Sequence, residues 1–161
     1  PKRRPLRLLR RSSPSPVPPF RLGAVLLALT LPIVAEAQSL PDNPLSDCPD
    51  TPNCERVARG YEAPPDTLYA AAERALESLG PVTLRRPDSS AARRLEAVYR
   101  VALLFKDDVA VAVRARDGGG SALYVRSASR VGHSDLGVNR RRVDRFLEAV
   151  GAALRDASST S

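Results

Sequence analysis

The chain has 161 residues, a length that suits one hydrophobic core. Its net charge of +7 would invite a nucleic-acid reading, but the charge is concentrated at one end and that reading does not survive once the end is set aside. One histidine and two cysteines fall short of a zinc centre, which takes about four ligands, so no metal and no other cofactor is expected.

Residues 1–37 have the layout of a secretory signal peptide. A basic stretch (Lys2, Arg3, Arg4, Arg7, Arg10, Arg11, Arg21) precedes an apolar run over 22–34, and Ala35-Glu36-Ala37 supplies the small-residue ending. The apolar run contains Pro32 and is shorter than the roughly 20 residues that span a bilayer, so an uncleaved anchor is the alternative and not the expectation. Ser12-Ser13-Pro14 after Arg10-Arg11 does not continue as a twin-arginine signal would. Taking the leader's 7 bases and 1 acid from the chain's 25 and 18 leaves 18 bases against 17 acids, a net of +1. Nucleic acid drops out as a partner, and membrane contact is expected only during export unless the signal stays attached. Charge remains uneven: residues 38–80 carry 8 acids and 3 bases, whereas 81–161 carry 9 acids and 15 bases. An anionic partner for the C-terminal half is compatible with that, as is a merely solvated basic surface.

Residues 38–65 read as an extended lead-in, rich in proline and small polar residues and built around the loop CPDTPNC. Export would bring Cys48 and Cys54 into oxidising surroundings, and two cysteines so close in a proline-containing turn are expected to form a disulfide. Five residues separate them, where a redox-active pair usually has two, and Asp47 argues against lipid attachment at Cys48.

The folded domain is expected over 66–156. A helix at 67–79 follows Pro64-Pro65, with Asp66 as N-cap and Gly80-Pro81 as the stop; Leu68, Ala72, Ala75, Leu76 and Leu79 form its apolar stripe. The period then changes to two. A short strand over 82–86 leads to a turn at 87–90, and Leu95, Ala97, Tyr99, Val101 and Leu103 alternate along a second strand. A third strand over 108–116 points Val109, Val111 and Val113 inward, and a fourth covers 122–130. Asp117-Gly118-Gly119-Gly120 joins them as a hairpin, glycine accepting the positive φ that such turns need. A second helix over 140–155 carries Val143, Phe146, Leu147, Val150 and Leu154 on one stripe, and 157–161 is expected to be a disordered tail. The expected fold is α+β: a four-stranded antiparallel sheet with an N-terminal and a C-terminal helix packed on one face, a two-layer sandwich.

Candidate chemistry concentrates in residues 125–142, VRSASRVGHSDLGVNRRR. Arg126, Ser127, Ser129 and Arg130 stand near a strand end, His133, Ser134 and Asp135 in a glycine-flanked loop, and Asn139 with Arg140 at a helix start. Guanidinium donors, hydroxyls and free N–H groups at a helix N-terminus are the ingredients of an anion site. The candidate ligand-binding set is Arg126, Ser129, Arg130, His133, Asp135, Asn139 and Arg140. The plainer alternative makes Asn139 an N-cap and the serines small strand residues. His133-Ser134-Asp135 holds the letters of a hydrolytic triad, but adjacent residues do not supply its geometry. If Gly118-Gly119 form a two-residue turn, Asp107 stands opposite Arg130 and Val111 opposite Arg126, which makes an Asp107–Arg130 structural pair; a shift of one residue would make Asp108 the partner.

Taken together, CPDTPNC, LFKDDV at 104–109 and SASRVGHSDLGVNRRRVDRF at 127–146 resemble the family catalogued as domain of unknown function 1499, over residues 47–150. The resemblance implies a bacterial envelope protein, with relatives in chloroplast lumens, and carries no activity. Where that family has a small, serine-containing stretch after the second cysteine, this chain has Glu55-Arg56-Val57. The expectation is an exported periplasmic or envelope domain, a plastid lumen or a retained anchor being the alternatives. Its expected role is non-enzymatic binding of a small anion or an envelope protein. A second reading is a hydrolase or isomerase with His133 as base and Asp107 or Asp108 assisting; a third is a purely structural domain.

Overall fold

Period-two alternation produces one antiparallel sheet, and the two helical stripes close over one of its faces. The computed structural model describes residues 39–87, 92–101 and 104–159; the expected signal peptide, turn residues 88–90 and Leu103 lie outside them. In chain order the elements are β1 (Cys54–Tyr61), α1 (Pro65–Ser78), β2 (Thr83–Arg85), β3 (Arg93–Val101), β4 (Phe105–Ala115), β5 (Ser121–Ser129) and α2 (Val138–Ser159). The strand order is β1-β5-β4-β3-β2, and every neighbouring pair is antiparallel. Between them, β1 and β2 form the two edges, so the segment containing α1 carries the chain from one edge to the other.

The sheet therefore has five strands where four were expected. The additional one is β1, inside the stretch read as extended lead-in. Only Val57 and Tyr61 of this strand pack on the core, and Glu55, Arg56 and Arg59 break up any apolar alternation. Charges on an edge strand block further pairing; the same charges hide it from a search for alternating hydrophobicity.

The β4–β5 connection has three residues, 117–119, instead of two: Arg116 N–H donates to Gly120 O at 3.2 Å, and Gly119 N–H to Arg116 O at 3.3 Å. The register moves by one, putting Asp107 opposite Ser129 and Val111 opposite Val125. This overturns the Asp107–Arg130 pairing.

Helix ends also differ from expectation. Pro65 occupies the first turn of α1, where a fixed φ helps and a missing N–H is harmless. Asp66, expected as N-cap, lies inside that first turn; no side chain caps the helix, and Asp66 pairs with Arg93. Its negative charge still suits a helix N-terminus. Helix α2 runs through Ser159, so residues 157–159 of the expected disordered tail are helical. No glycine or proline follows Arg155 to stop it, and the Ser158 and Ser159 hydroxyls donate to the carbonyls of Arg155 and Asp156.

Both helices pack on the inner face, where Leu68, Leu76, Val143, Phe146 and Val150 meet Leu95, Val111 and Val125. The outer face is small and alanine-rich. Residues 41–47 cross it as a strap, with Leu45 buried against Ala112, Ala122 and Tyr124. Sheet side chains hold the strap by its carbonyls: Arg114 donates to Asp42 O (2.8 Å), Arg56 to Leu45 O (2.9 Å), Arg94 to Pro44 O and Tyr124 to Pro41 O. Cys48 and Cys54 form a disulfide, Cα–Cα 5.7 Å, that ties the end of the strap to the start of β1. Among the described residues, all members of both core clusters lie between Leu45 and Leu154, inside the compact unit Glu36–Ser161.

Candidate functional site

The register builds a row of outward-facing residues across all five strands: Arg56, Arg126, Ala110, Glu96 and Arg85. Ala110 is the small member, and neighbouring strands lie about 4.8 Å apart, so Arg126 and Glu96 stand roughly 10 Å apart with little between them. The next row contributes Ala128, Asp108 and Val98. A groove of about 520 Å³ results, floored by Ala110 and Val98 and walled by Arg126 and Arg130 on one side and Arg85 and Glu96 on the other, with Lys106 also lining it.

Four cations and two carboxylates line this groove. Asp108 is engaged by Arg130, whose Nε and Nη2 grip the carboxylate at 2.7–3.1 Å. The pair is about half exposed, so it orients Arg130 more than it stabilises the fold. The one-residue register shift thus makes Asp108, and not Asp107, the partner of Arg130. Arg126 is different. Its cross-strand neighbour Arg56 already has Asp47 at 2.9 Å. The Nε of Arg126 is buried and has no hydrogen-bond partner among the described residues. A buried, charged donor left unpaired is costly; Arg56 Nε is unbonded too, but Arg56 has a carboxylate partner and Arg126 has none among the described residues.

The loop candidates divide among three environments. Arg126 and Arg130 face the groove. Ser129 and Asn139 lie on the helix side in a buried network: Asn139 Nδ2 donates to Ser129 Oγ and Asn53 O, each at 3.0 Å, and its Oδ1 accepts from Ser127 Oγ at 2.5 Å and Arg142 Nη1 at 2.9 Å. His133 and Arg140 are exposed, and no described residue hydrogen-bonds the His133 ring. The helix-start anion site does not form as expected, because the N–H groups it would use are taken. Asp135 accepts from Gly137 N at 2.9 Å and Asn139 N at 2.6 Å, so Asp135, not Asn139, caps α2.

Asp107 belongs to the buried network. Its carboxylate is 2.8 Å from Nη1 of Arg142, and both side chains are almost fully buried. That nitrogen aims its N–H bonds at Ser127 Oγ (3.1 Å) and Asn139 Oδ1, so Asp107 Oδ2 balances the charge without an aligned hydrogen bond. The guanidinium also stacks over Tyr99, 5.1 Å from the ring centroid. Tyr99 donates its hydroxyl to Leu76 O at 2.9 Å; burial pushes its phenol up to about 12, with Arg142 pulling the other way. Arg142 was missed by sequence reading because Arg140-Arg141-Arg142 offers three equivalent-looking cations. Helical phase tells them apart: Arg142 precedes Val143 and lies three residues after Asn139, on the buried side.

Burial pushes the Asp135 carboxyl up, but the N–H groups of Asn139 and Gly137 more than offset this and leave it below the ordinary value of 3.8. A folded-state pKa depressed in this way contributes stability that is complete above the unfolded value and lost as pH falls through the folded one. Asp135→Ala is expected to cost about 1 kcal/mol at pH 7. In urea melts the gap to wild type should close as the pH drops below 3.8; a gap independent of pH would show that the carboxylate charge plays no part.

The fold and site define an α+β domain with a cationic groove on the open face of its sheet; no cluster able to hold a metal ion occurs among the described residues. The chain belongs to the family described as Protein of unknown function (DUF1499), whose sequence pattern matches residues 44–150. No curated protein matches it. Among solved structures, the X-ray crystal structure of a protein from Chromobacterium violaceum is similar at 14% identity and a TM-score of 0.43, covering 63% of this chain and 96% of that one. At that level the likeness transfers neither fold nor function.

Proposed function

We propose that the domain binds a small anionic ligand, a carboxylate or phosphate compound, in the outer-face groove and does so without catalysis. The observation that carries this reading is the buried, unpartnered Nε of Arg126 in the wall of a hollow that also presents Lys106 and Arg85. Arg130, oriented by Asp108, supplies a second planar donor. Of the original candidates, Arg126 and Arg130 keep a ligand role; Ser129, Asp135 and Asn139 serve the fold. The enzymatic alternative loses its support because His133 has no orienting partner among the described residues and both aspartates meant to assist it are engaged by arginines.

An exported setting is part of the proposal. It is supported by the leader-like residues 1–37 and by the Cys48–Cys54 disulfide, which persists in oxidising compartments. Calorimetric titration of residues 38–161 with phosphate, a dicarboxylate and a sulfonate tests the binding claim. At least one is expected to bind saturably, to weaken as salt rises, and to lose roughly tenfold in affinity in Arg126→Ala. Binding untouched by that substitution would place the ligand elsewhere.

A further inference from the structure

We infer that the end of the sheet formed by the β3–β4 hairpin and the entry to α2 docks onto a lipid bilayer bearing anionic headgroups. Six large apolar side chains are exposed among the described residues, and four of them gather at this end: Leu104 (86%), Phe105 (52%), Val131 (57%) and Leu136 (86%). They come from two separate segments of chain, the start of β4 and the β5–α2 connection, yet Phe105, Val131 and Leu136 line one concavity of about 370 Å³. Scattered exposed hydrophobics are ordinary on a protein surface; a cluster of this kind marks an interaction site.

Leu136 sharpens the point. It is the one non-glycine residue with positive φ among those described, at 53°. That conformation is strained for a residue with a side chain, and the leucine side chain recovers little of this within the domain because it is almost wholly exposed. Asparagine or glycine would make the same turn with less strain. A large apolar group is held outward at a position where folding does not require one.

The surrounding charge selects the occupant. Lys106 and Arg141 line the same concavity, Arg100 is the cross-strand partner of Lys106, and Arg140 is exposed on the first turn of α2. Two carboxylates share the concavity: Asp107 is neutralised by buried Arg142, and Asp135 keeps its charge while capping α2, so the cations of this end outnumber its unpaired acids. Protruding leucines within a basic collar match an anionic membrane interface, where apolar tips enter the acyl boundary and cations meet phosphates. This surface lies at the end of the sheet and is separate from the groove except for Lys106, so it stands or falls independently of the anion-binding proposal.

The chain has no tryptophan, so Leu136→Trp in residues 38–161 places a single reporter at the tip. With vesicles of phosphatidylglycerol and phosphatidylcholine its emission is expected to shift to the blue. Val82→Trp, placed beside the groove, should not shift, and phosphatidylcholine alone should give a much smaller response. The paired substitution Leu104→Asp with Leu136→Asp should reduce vesicle co-sedimentation by about tenfold, whereas Arg126→Ala should leave it unchanged. No shift on anionic vesicles, or co-sedimentation unaffected by the aspartates, would overturn the inference. So would a blue shift that grows with protein concentration in the absence of lipid, which would assign the surface to a second copy of the chain.

Discussion

Asp107→Ala is expected to lower the stability of residues 38–161 by about 3–5 kcal/mol, a large part of the roughly 5–15 kcal/mol that holds a domain together. Arg142 is 6% exposed and Asp107 2%. Removing the carboxylate leaves the guanidinium charge in the interior with a tyrosine face and two neutral oxygens, Ser127 Oγ and Asn139 Oδ1, for company. Neither oxygen neutralises it. Retreat to water is blocked by the packing of α2 on β5 and α1. Replacing both partners with apolar residues of similar volume, Asp107→Leu together with Arg142→Met, removes the charge along with its counter-ion and is expected to cost less than the single substitution. Urea denaturation of the two variants beside the wild type measures this. A loss under about 1 kcal/mol for Asp107→Ala would mean that the pair behaves as an exposed one.

The second large effect is expected at Gly120. A Cβ there would come within 2.3 Å of Tyr61 O and 3.2 Å of Glu62 Cα, and the residue sits at φ 72°. Left-handed backbone alone costs alanine about 1–2 kcal/mol, and the clash is with main chain, which cannot swing aside as a side chain can. Either β1 or the β4–β5 hairpin must move. We expect Gly120→Ala to cost about 3 kcal/mol. Gly80→Ala is the control, since it has φ 67° with nothing within 4 Å and should show the conformational cost alone. Equal losses at the two positions would show that the approach of Gly120 to Tyr61 is not a constraint.

Both helices and four strands were legible because their apolar residues repeat at a clear period and face a single core. What escaped was set by contacts that periodicity does not encode. Strand β1 is an edge strand whose pairing rests on backbone hydrogen bonds and on two inward side chains, Val57 and Tyr61. The β4–β5 register turned on whether the glycine-rich loop holds two residues or three, and one residue decided whether Asp107 or Asp108 meets Arg130. Ser127, Ser129 and Asn139 looked like ligand groups because they are polar and near a loop. They are polar because Arg142 is buried beside them and its charge has to be surrounded by acceptors. The groove was partly visible, in Arg126 and Arg130, but Arg85, Glu96 and Lys106 join it only through cross-strand pairing, where the short side chain of Ala110 leaves the space.

The anion-binding reading depends on one donor. In the NMR spectrum of residues 38–161 the Arg126 Nε–H resonance can be followed while a small anion is added. The account predicts a saturable downfield shift at Arg126 with a smaller one at Arg130, whose Nε is already bonded to Asp108. An Arg126 signal that stays in place while phosphate, dicarboxylate and sulfonate are each raised to saturating concentrations would contradict it.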